Sequence, residues 1–360
     1  MVRAWVPTPA PPGVVYAPMT VASAVARGLA ARGDHVDFYA PRGSAVPGVA
    51  LIDGGLDPLV TDRAGFDRVT ERAADGDFAD LAEADRHLAG LMARGAAAGR
   101  YDVLLFHHIE VAAAIADTVR EIPVVCVLWD PPDPRWQAYA DGHPNLFLIA
   151  VSDRQRSDAG DLPIIATVYP GVDGPAEPPA AAAAGDDLRL VYLGRLIPEK
   201  GPDIAVEVAV RTGARLDLLG PIRPEHRRFF EEMIRPRLGG RIRYRGHVPH
   251  DRLADYLTGA SALLMPIRWQ EPFGLVMIEA MACGVPVIGF GRGAVPEVVA
   301  HGVSGYVVDS VDEMCQAVRS LHRLPADGCW RHVRQRFSID QMVDGYRAAL
   351  VQATTLVSAR

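Results

Sequence analysis

The chain has 360 residues, 49% apolar and 22% charged, an ordinary globular balance that suits two domains of usual size. Its net charge of −7 argues against a general nucleic-acid binder, which is usually basic. No apolar run reaches the ~18–20 residues that span a bilayer. Residues 1–12, with four prolines and no apolar core, are not expected to be a secretory signal.

In chain order, "VRAWVPT" reads as a short opening strand, and "TVASAVARGLAARG" as a helix from Thr20 that stops at Gly33. "HVDFYAP" reads as the next strand, and residues 57–100 as a charged, helix-rich segment. "DVLLFHH", "PVVCVLW" and "LFLIAVS" are short apolar runs bounded by turn residues, the pattern of a buried parallel sheet. The Pro- and Ala-rich "PAEPPAAAAAGDD", residues 175–187, has no periodicity and reads as an interdomain linker. Alternation then resumes with "LRLVYLG", a helix from Pro202, "ARLDLLG", a helix from Pro224, "RIRYRGHV" and a helix near Leu253. "SALLMPI", a helix from Pro272, "VPVIGF" and "GYVVD" follow. The four cysteines lie far apart without metal-ligand spacing, as expected of free thiols in a reducing cytoplasm.

Two doubly wound halves place ligands outside the carboxyl ends of their strands. In "EPFGLVMIEAMACGVPVI", Glu271 follows a strand and Pro272 suits a first helical position. The amides of Phe273, Gly274 and Leu275 would then form a helix start that attracts anions. Glu279 lies eight residues beyond Glu271, roughly 12 Å along a helix at about 1.5 Å per residue. Two acceptors bracketing an anion site fit a sugar nucleotide, with one carboxylate on sugar hydroxyls and the other on ribose hydroxyls. "GRLIPEKG" offers Arg195 and Lys200 for the diphosphate, just after another strand. Each signal alone is common: a glutamate at a helix start is often only a dipole partner, and cations after a strand are usually solvated. Their conjunction in one half is the informative feature.

"GRLIPEKG", "EPFGLVMIEAMACGVPVI" and "GAVPEVVAHGVSGYVV" resemble the retaining glycosyltransferases of family 4, which have the GT-B fold, most strongly over residues 188–309. The resemblance implies that Glu271 contacts the donor hexose and Glu279 the ribose. It implies that the amides of Phe273, Gly274 and Leu275 contact sugar and phosphate, and that Arg195 and Lys200 hold the diphosphate. "YDVLLFHHIE" is similar to the family's strand end whose histidine lies by the transferred sugar, which implies that role for His107; His108 follows it. Tyr16 and Ala17 stand where the family often has a Gly-Gly pair, and Trp129 and Asp130 where a second histidine is usual. Tyr16, Trp129 and Asp130 are therefore acceptor-side candidates. Trp129 has the alternative of packing under "PPDP".

Two further patterns carry less. "GFGRGA", residues 289–294, mimics a dinucleotide fingerprint, but Pro296 and Gly302 leave little room for the helix it requires. The basic run "EHRRFFEEMIRPRLGGRIRYRGH" is interleaved with glutamates and reads as a solvated face.

The resulting expectation is an α/β, GT-B chain of two Rossmann-like doubly wound domains facing a central cleft. Residues 1–174 form the acceptor side, 175–187 the linker, 188–336 the nucleotide-sugar side and 337–360 a helix returning to the first domain. The expected activity is metal-independent, retaining transfer from a nucleotide-sugar donor to a hydroxyl acceptor (sugar, cyclitol or lipid-linked) in the cytoplasm. No cofactor, no metal and no nucleic acid are expected, and membrane association is the lesser expectation. "DGD" at 75–77 lies in the helix-rich segment, away from a strand-end metal loop. The alternatives are a nucleotide-sugar epimerase, a phosphorylase and a non-catalytic sugar-nucleotide-binding protein.

Overall fold

Pairing among short parallel strands organises the computed structural model, which describes all residues except 2, 15, 75, 180–186 and 360. The chain forms two units, residues 1–170 with 339–360, and residues 171–338.

In the first unit β1 (Asp37–Tyr39) pairs with β2 (Ala50–Ile52). A separate parallel sheet runs β3 (Leu104–Phe106), β4 (Val124–Val127), β5 (Leu146–Ala150), β6 (Ile164–Thr167). Every residue of β4 and β5 is buried, so both faces of this sheet are covered and the strands show no alternation. Its helices are α1 (Ala17–Ala31), α2 (Arg63–Ala74), α3 (Ala79–Ala97), α4 (Ile109–Ala116), α5 (Arg135–Ala140) and α6 (Asp153–Asp158).

In the second unit β7 (Arg189–Leu193), β8 (Arg215–Leu219), β9 (Ile242–Gly246), β10 (Ala262–Met265), β11 (Val287–Phe290) and β12 (Gly305–Val308) form one parallel sheet. The order is β12-β11-β10-β7-β8-β9. The chain therefore winds outward from β7 through β9, then returns to the other side of β7 and winds outward again. The helices are α7 (Pro202–Thr212), α8 (Arg227–Phe229), α9 (Leu253–Leu257), α10 (Leu275–Ala282), α11 (Val295–Val298), α12 (Val311–Arg319) and α13 (Gly328–Arg336).

The tail helix α14 (Ile339–Ser358) rejoins the first unit, against α1. A Cβ on Gly28 would lie 2.4 Å from Val343 Cγ2, so glycine is what lets these helices approach. Arg32 bonds Asp344 and Asp340 beside that contact. Among the described helices none is long and apolar enough to cross a membrane.

Four sequence expectations are revised. "VRAWVPT" is not a strand in its described part: Trp5 O accepts from Leu59 and Val60, and Thr8 N donates to Ser44 Oγ, so loops replace a strand partner. The helix from Pro224 breaks into short 3₁₀, α and π turns, and it ends in a turn holding Pro236, which cannot donate to an α-helical ladder. The helix expected from Pro272 starts only at Leu275, because Gly274 has φ of 83°. Residues 175 and 176, expected to open the linker, lie with the second unit: Trp330 and Arg334 on α13 donate to the carbonyls of Pro175 and Ala176. Linker residues 180–186 and Asp75 of the "DGD" run lie outside the described residues.

Candidate functional site

In the second unit, β7 and β10 are neighbours, with Ala262 beside Leu190 and Leu263 beside Val191. The winding reverses between these two strands. Loops leaving their carboxyl ends therefore flank a topological switch point, where such sheets bind ligands.

The loop after β7 carries Arg195 and Lys200. Its bend packs tightly: a Cβ on Gly220, at φ of 146°, would lie 1.8 Å from Gly194 O. Lys200 ends a 3₁₀ turn, Pro198–Lys200, closed by Gly201 at φ of 68°. A Cβ on Gly201 would lie 2.0 Å from Pro266 O, so only glycine lets this turn press on the segment leaving β10. Arg268 latches the two loops. Its N–H donates to Glu199 O at 2.7 Å, and its guanidinium bonds Pro198 O at 2.6 Å and Asp203 at 2.8 and 2.5 Å.

The latch brings Lys200 Nζ onto Glu271 Oε2. Trp269 Nε1 donates to the same oxygen at 2.9 Å, and Lys200 Nζ lies 4.4 Å from the Trp269 ring centroid. Burial pushes the Lys200 ammonium below its usual range, the Glu271 carboxylate opposes the shift, and Arg195 adds repulsion. Arg195 thus shares the electrostatic neighbourhood of Lys200.

Glu271 is pinned through its backbone by "GFGRGA". Ala294 N donates to Glu271 O at 2.9 Å, and Gly293 N to Gln270 Oε1 at 2.7 Å. The apparent dinucleotide motif is thus a packing loop, followed only by the four-residue α11.

Glu271 and Glu279 do not share one helix, because Glu271 precedes α10 by four residues. The first-turn amides of Leu275 and Val276 have no intrahelical acceptor, as at every helix start. Phe273 is buried, its ring edge-on to Phe337 at 5.8 Å, so its side chain belongs to the core. Glu279 faces His250, with Oε1 3.7 Å from Nδ1. Burial raises the Glu279 carboxyl above its usual range, and the neighbouring His250 opposes that shift.

The first unit carries a second cluster. His107 follows β3 and is 3% exposed. Trp129 Nε1 donates to its Nδ1 at 3.1 Å, the rings stacked 5.9 Å apart. Tyr16 Oη bonds His108 Nε2 at 2.6 Å, the rings nearly parallel at 8°. Burial pushes both histidines well below their usual range and Tyr16 well above its own. All three are therefore neutral. Asp130 adds negative charge near Tyr16, and its backbone carbonyl accepts from Gln155 Nε2 at 2.8 Å.

The structure thus joins Lys200 to Glu271, His107 to Trp129 and Tyr16 to His108. It keeps Glu279 apart from Glu271. Sequence reasoning gave no role to Trp269, His250 or His108. No spacing rule marks a lone tryptophan or histidine in a loop; only the doubled "HH" after a strand was visible.

Residues 175–338 match the family described as Glycosyl transferases group 1. A D-inositol 3-phosphate glycosyltransferase of Streptomyces bingchenggensis is 35% identical over 204 residues, 48% of this chain and 42% of that protein. The chain spans about half the length of most curated relatives it matches first. Among solved structures, AviGT4, a glycosyltransferase involved in avilamycin A biosynthesis, is 24% identical with a TM-score of 0.67, covering 98% of this chain and 93% of that one. Sucrose-phosphate synthase from Thermosynechococcus elongatus is 19% identical with a TM-score of 0.68, covering 96% and 94%. The chain therefore has the GT-B fold, two Rossmann-like α/β units, and its residues 175–338 match the glycosyl transferases of group 1.

Proposed function

We propose that the protein is a retaining glycosyltransferase of family 4 that moves a sugar from a nucleotide-sugar donor to a hydroxyl acceptor without a metal ion. The observation that carries this reading is the meeting of Lys200 and Glu271 at the switch point of a parallel sheet, inside the segment that matches group 1 glycosyl transferases. The second unit takes the donor. Arg195, Lys200 and the first-turn amides of α10 receive the diphosphate. Glu271 accepts from hydroxyls of the donor hexose, and Glu279 accepts from the ribose hydroxyls.

In the reaction the bond from the anomeric carbon to the diphosphate oxygen breaks as the acceptor oxygen attacks from the same face. The acceptor proton passes to the departing diphosphate oxygen. Negative charge grows on that leaving group, and two fixed cations stabilise it where a metal ion would otherwise act. The first unit takes the acceptor, offering neutral His107 and His108 beside the aromatic faces of Trp129 and Tyr16. The relatives named for D-inositol 3-phosphate support a phosphorylated cyclitol as the first acceptor to try. The four cysteines are free thiols, which supports a reducing, cytoplasmic setting.

The test is a panel of nucleotide sugars, first for thermal stabilisation, because a bound ligand raises stability by mass action. The stabilising donor is then incubated with D-inositol 3-phosphate and other hydroxyl acceptors in chelator. Release of nucleoside diphosphate and a product with the donor's anomeric configuration are expected. An inverted product, or turnover abolished by chelator, would overturn the mechanism; no stabilisation by any nucleotide sugar would overturn the reading itself.

A further inference from the structure

Lys200, Trp269 and Glu271 form a closed set in which each side chain touches the other two. Both polar contacts to Glu271 fall on Oε2, so Oε1 stands outside the set. One Lys200 N–H is engaged by Glu271 and one face of the ammonium is covered by the indole ring, which attracts the charge without accepting a conventional hydrogen bond. Trp269 is itself fixed, since its neighbour Arg268 is the latch between the two loops.

We infer that Trp269 is a positioning residue for donor binding: its N–H turns the Glu271 carboxylate so that Oε1 faces the donor hexose, and its ring holds Lys200 ready for the diphosphate. This rests on the donor-site reading above. The two halves of the indole have separable tasks. The N–H acts on sugar choice and transfer rate, through Glu271. The ring acts on diphosphate affinity, through Lys200.

The experiment uses the full chain with a nucleotide sugar that the wild type turns over, a donor epimeric at one hexose hydroxyl, and the free nucleoside diphosphate as inhibitor. Trp269→Phe keeps a ring over Lys200 and deletes the N–H. It is expected to lower kcat on the order of 10-fold and to shrink discrimination between the epimers, as fits loss of one hydrogen bond to a charged group. Its inhibition by nucleoside diphosphate should stay within about 2-fold of wild type. Trp269→Leu removes both features and should also weaken that inhibition, on the order of 5- to 10-fold, as fits loss of a cation–π contact. Lys200→Ala and Glu271→Gln are measured alongside. If those two lose activity while both Trp269 variants keep wild-type kcat, discrimination and inhibition, the positioning role is overturned and the donor site stands. If Trp269→Phe lowers only Tm, the residue is packing and the inference is likewise overturned. If Lys200→Ala and Glu271→Gln remain fully active, the donor-site reading itself fails.

Discussion

The indole N–H of Trp129 donates to His107 Nδ1 at 3.1 Å, across two rings stacked 5.9 Å apart. Because an indole nitrogen only donates, Nδ1 must be the accepting nitrogen. The proton of the neutral ring is therefore on Nε2. Trp129→Phe keeps the stack and leaves the buried Nδ1 without its donor. The expected loss of stability is about 1–3 kcal/mol, read as a lower urea midpoint. An unchanged midpoint would show that the hydrogen bond does not hold the ring.

Burial holds His107 well below its ordinary 6.5. In the unfolded chain that histidine takes up a proton as the pH falls through about 6.5, while in the folded chain it stays neutral. Its contribution is thus fully present above 6.5 and is lost as the pH falls below it. His108, also depressed, adds in the same direction. Each accounts for a slope of up to about 1.4 kcal/mol per pH unit in that window. Glu279, raised by burial, contributes the opposite sign. Urea unfolding between pH 8 and pH 5.5 should show stability declining toward acid, and His107→Gln should flatten the slope. A slope unaffected by that substitution would mean that His107 is protonated in the folded state.

Glu271 and Glu279 have separate partners, Lys200 with Trp269 for one and His250 for the other. Their substitutions should therefore fail differently. With Glu279 on the ribose as proposed, Glu279→Gln should weaken nucleoside diphosphate binding, since the ribose hydroxyls would lose a charged acceptor carrying roughly 1.5–3 kcal/mol per bond. Glu271→Gln should bind the free nucleotide nearly normally and lose transfer rate. Wild-type affinity should also fall in acid at a higher pH than an ordinary glutamate would give, because burial raises the Glu279 carboxyl. Calorimetry across that range, with Glu279→Gln as the control, checks both points. Equal loss of nucleotide affinity in the two variants would contradict the division.

Gly293 packs on the peptide of Glu271, where an added Cβ would lie 2.3 Å from both its N and its O, at φ of 54°. Gly293→Ala must displace backbone and is expected to cost several kcal/mol, within the range of severe single substitutions. Gly33, at φ of 89° with nothing within 4 Å of the added Cβ, is the comparison. Gly33→Ala should cost only the left-handed backbone penalty of about 1–2 kcal/mol. Similar thermal shifts for the two would contradict the close approach at Glu271.

Much of this architecture was legible. Runs such as "PVVCVLW" and "SALLMPI" announce strands buried on both faces, and β4 and β10 are buried throughout. "EPFG" and "PEKG" marked the loops that meet. Failures came where one residue overrides a pattern. Gly274 at φ of 83° delays α10, and the helical run before β9 ends in a turn holding Pro236. Trp5 and Val6 are buried, but loops rather than a neighbouring strand bond their segment. Trp269 carried no signal because its meaning depends on a lysine 69 positions earlier, brought alongside only by the adjacency of β7 and β10.

In the proposed reaction Lys200, with Arg195, stabilises charge growing on a departing diphosphate. Transfer measured with Lys200→Ala at saturating donor tests it most directly. The expected result is a kcat reduced on the order of 10²-fold or more, because the lost interaction strengthens in the transition state. Affinity for the nucleoside monophosphate, which lacks the departing phosphate, should stay within about 2-fold of wild type. A near-normal kcat in a correctly folded Lys200→Ala protein would contradict that role.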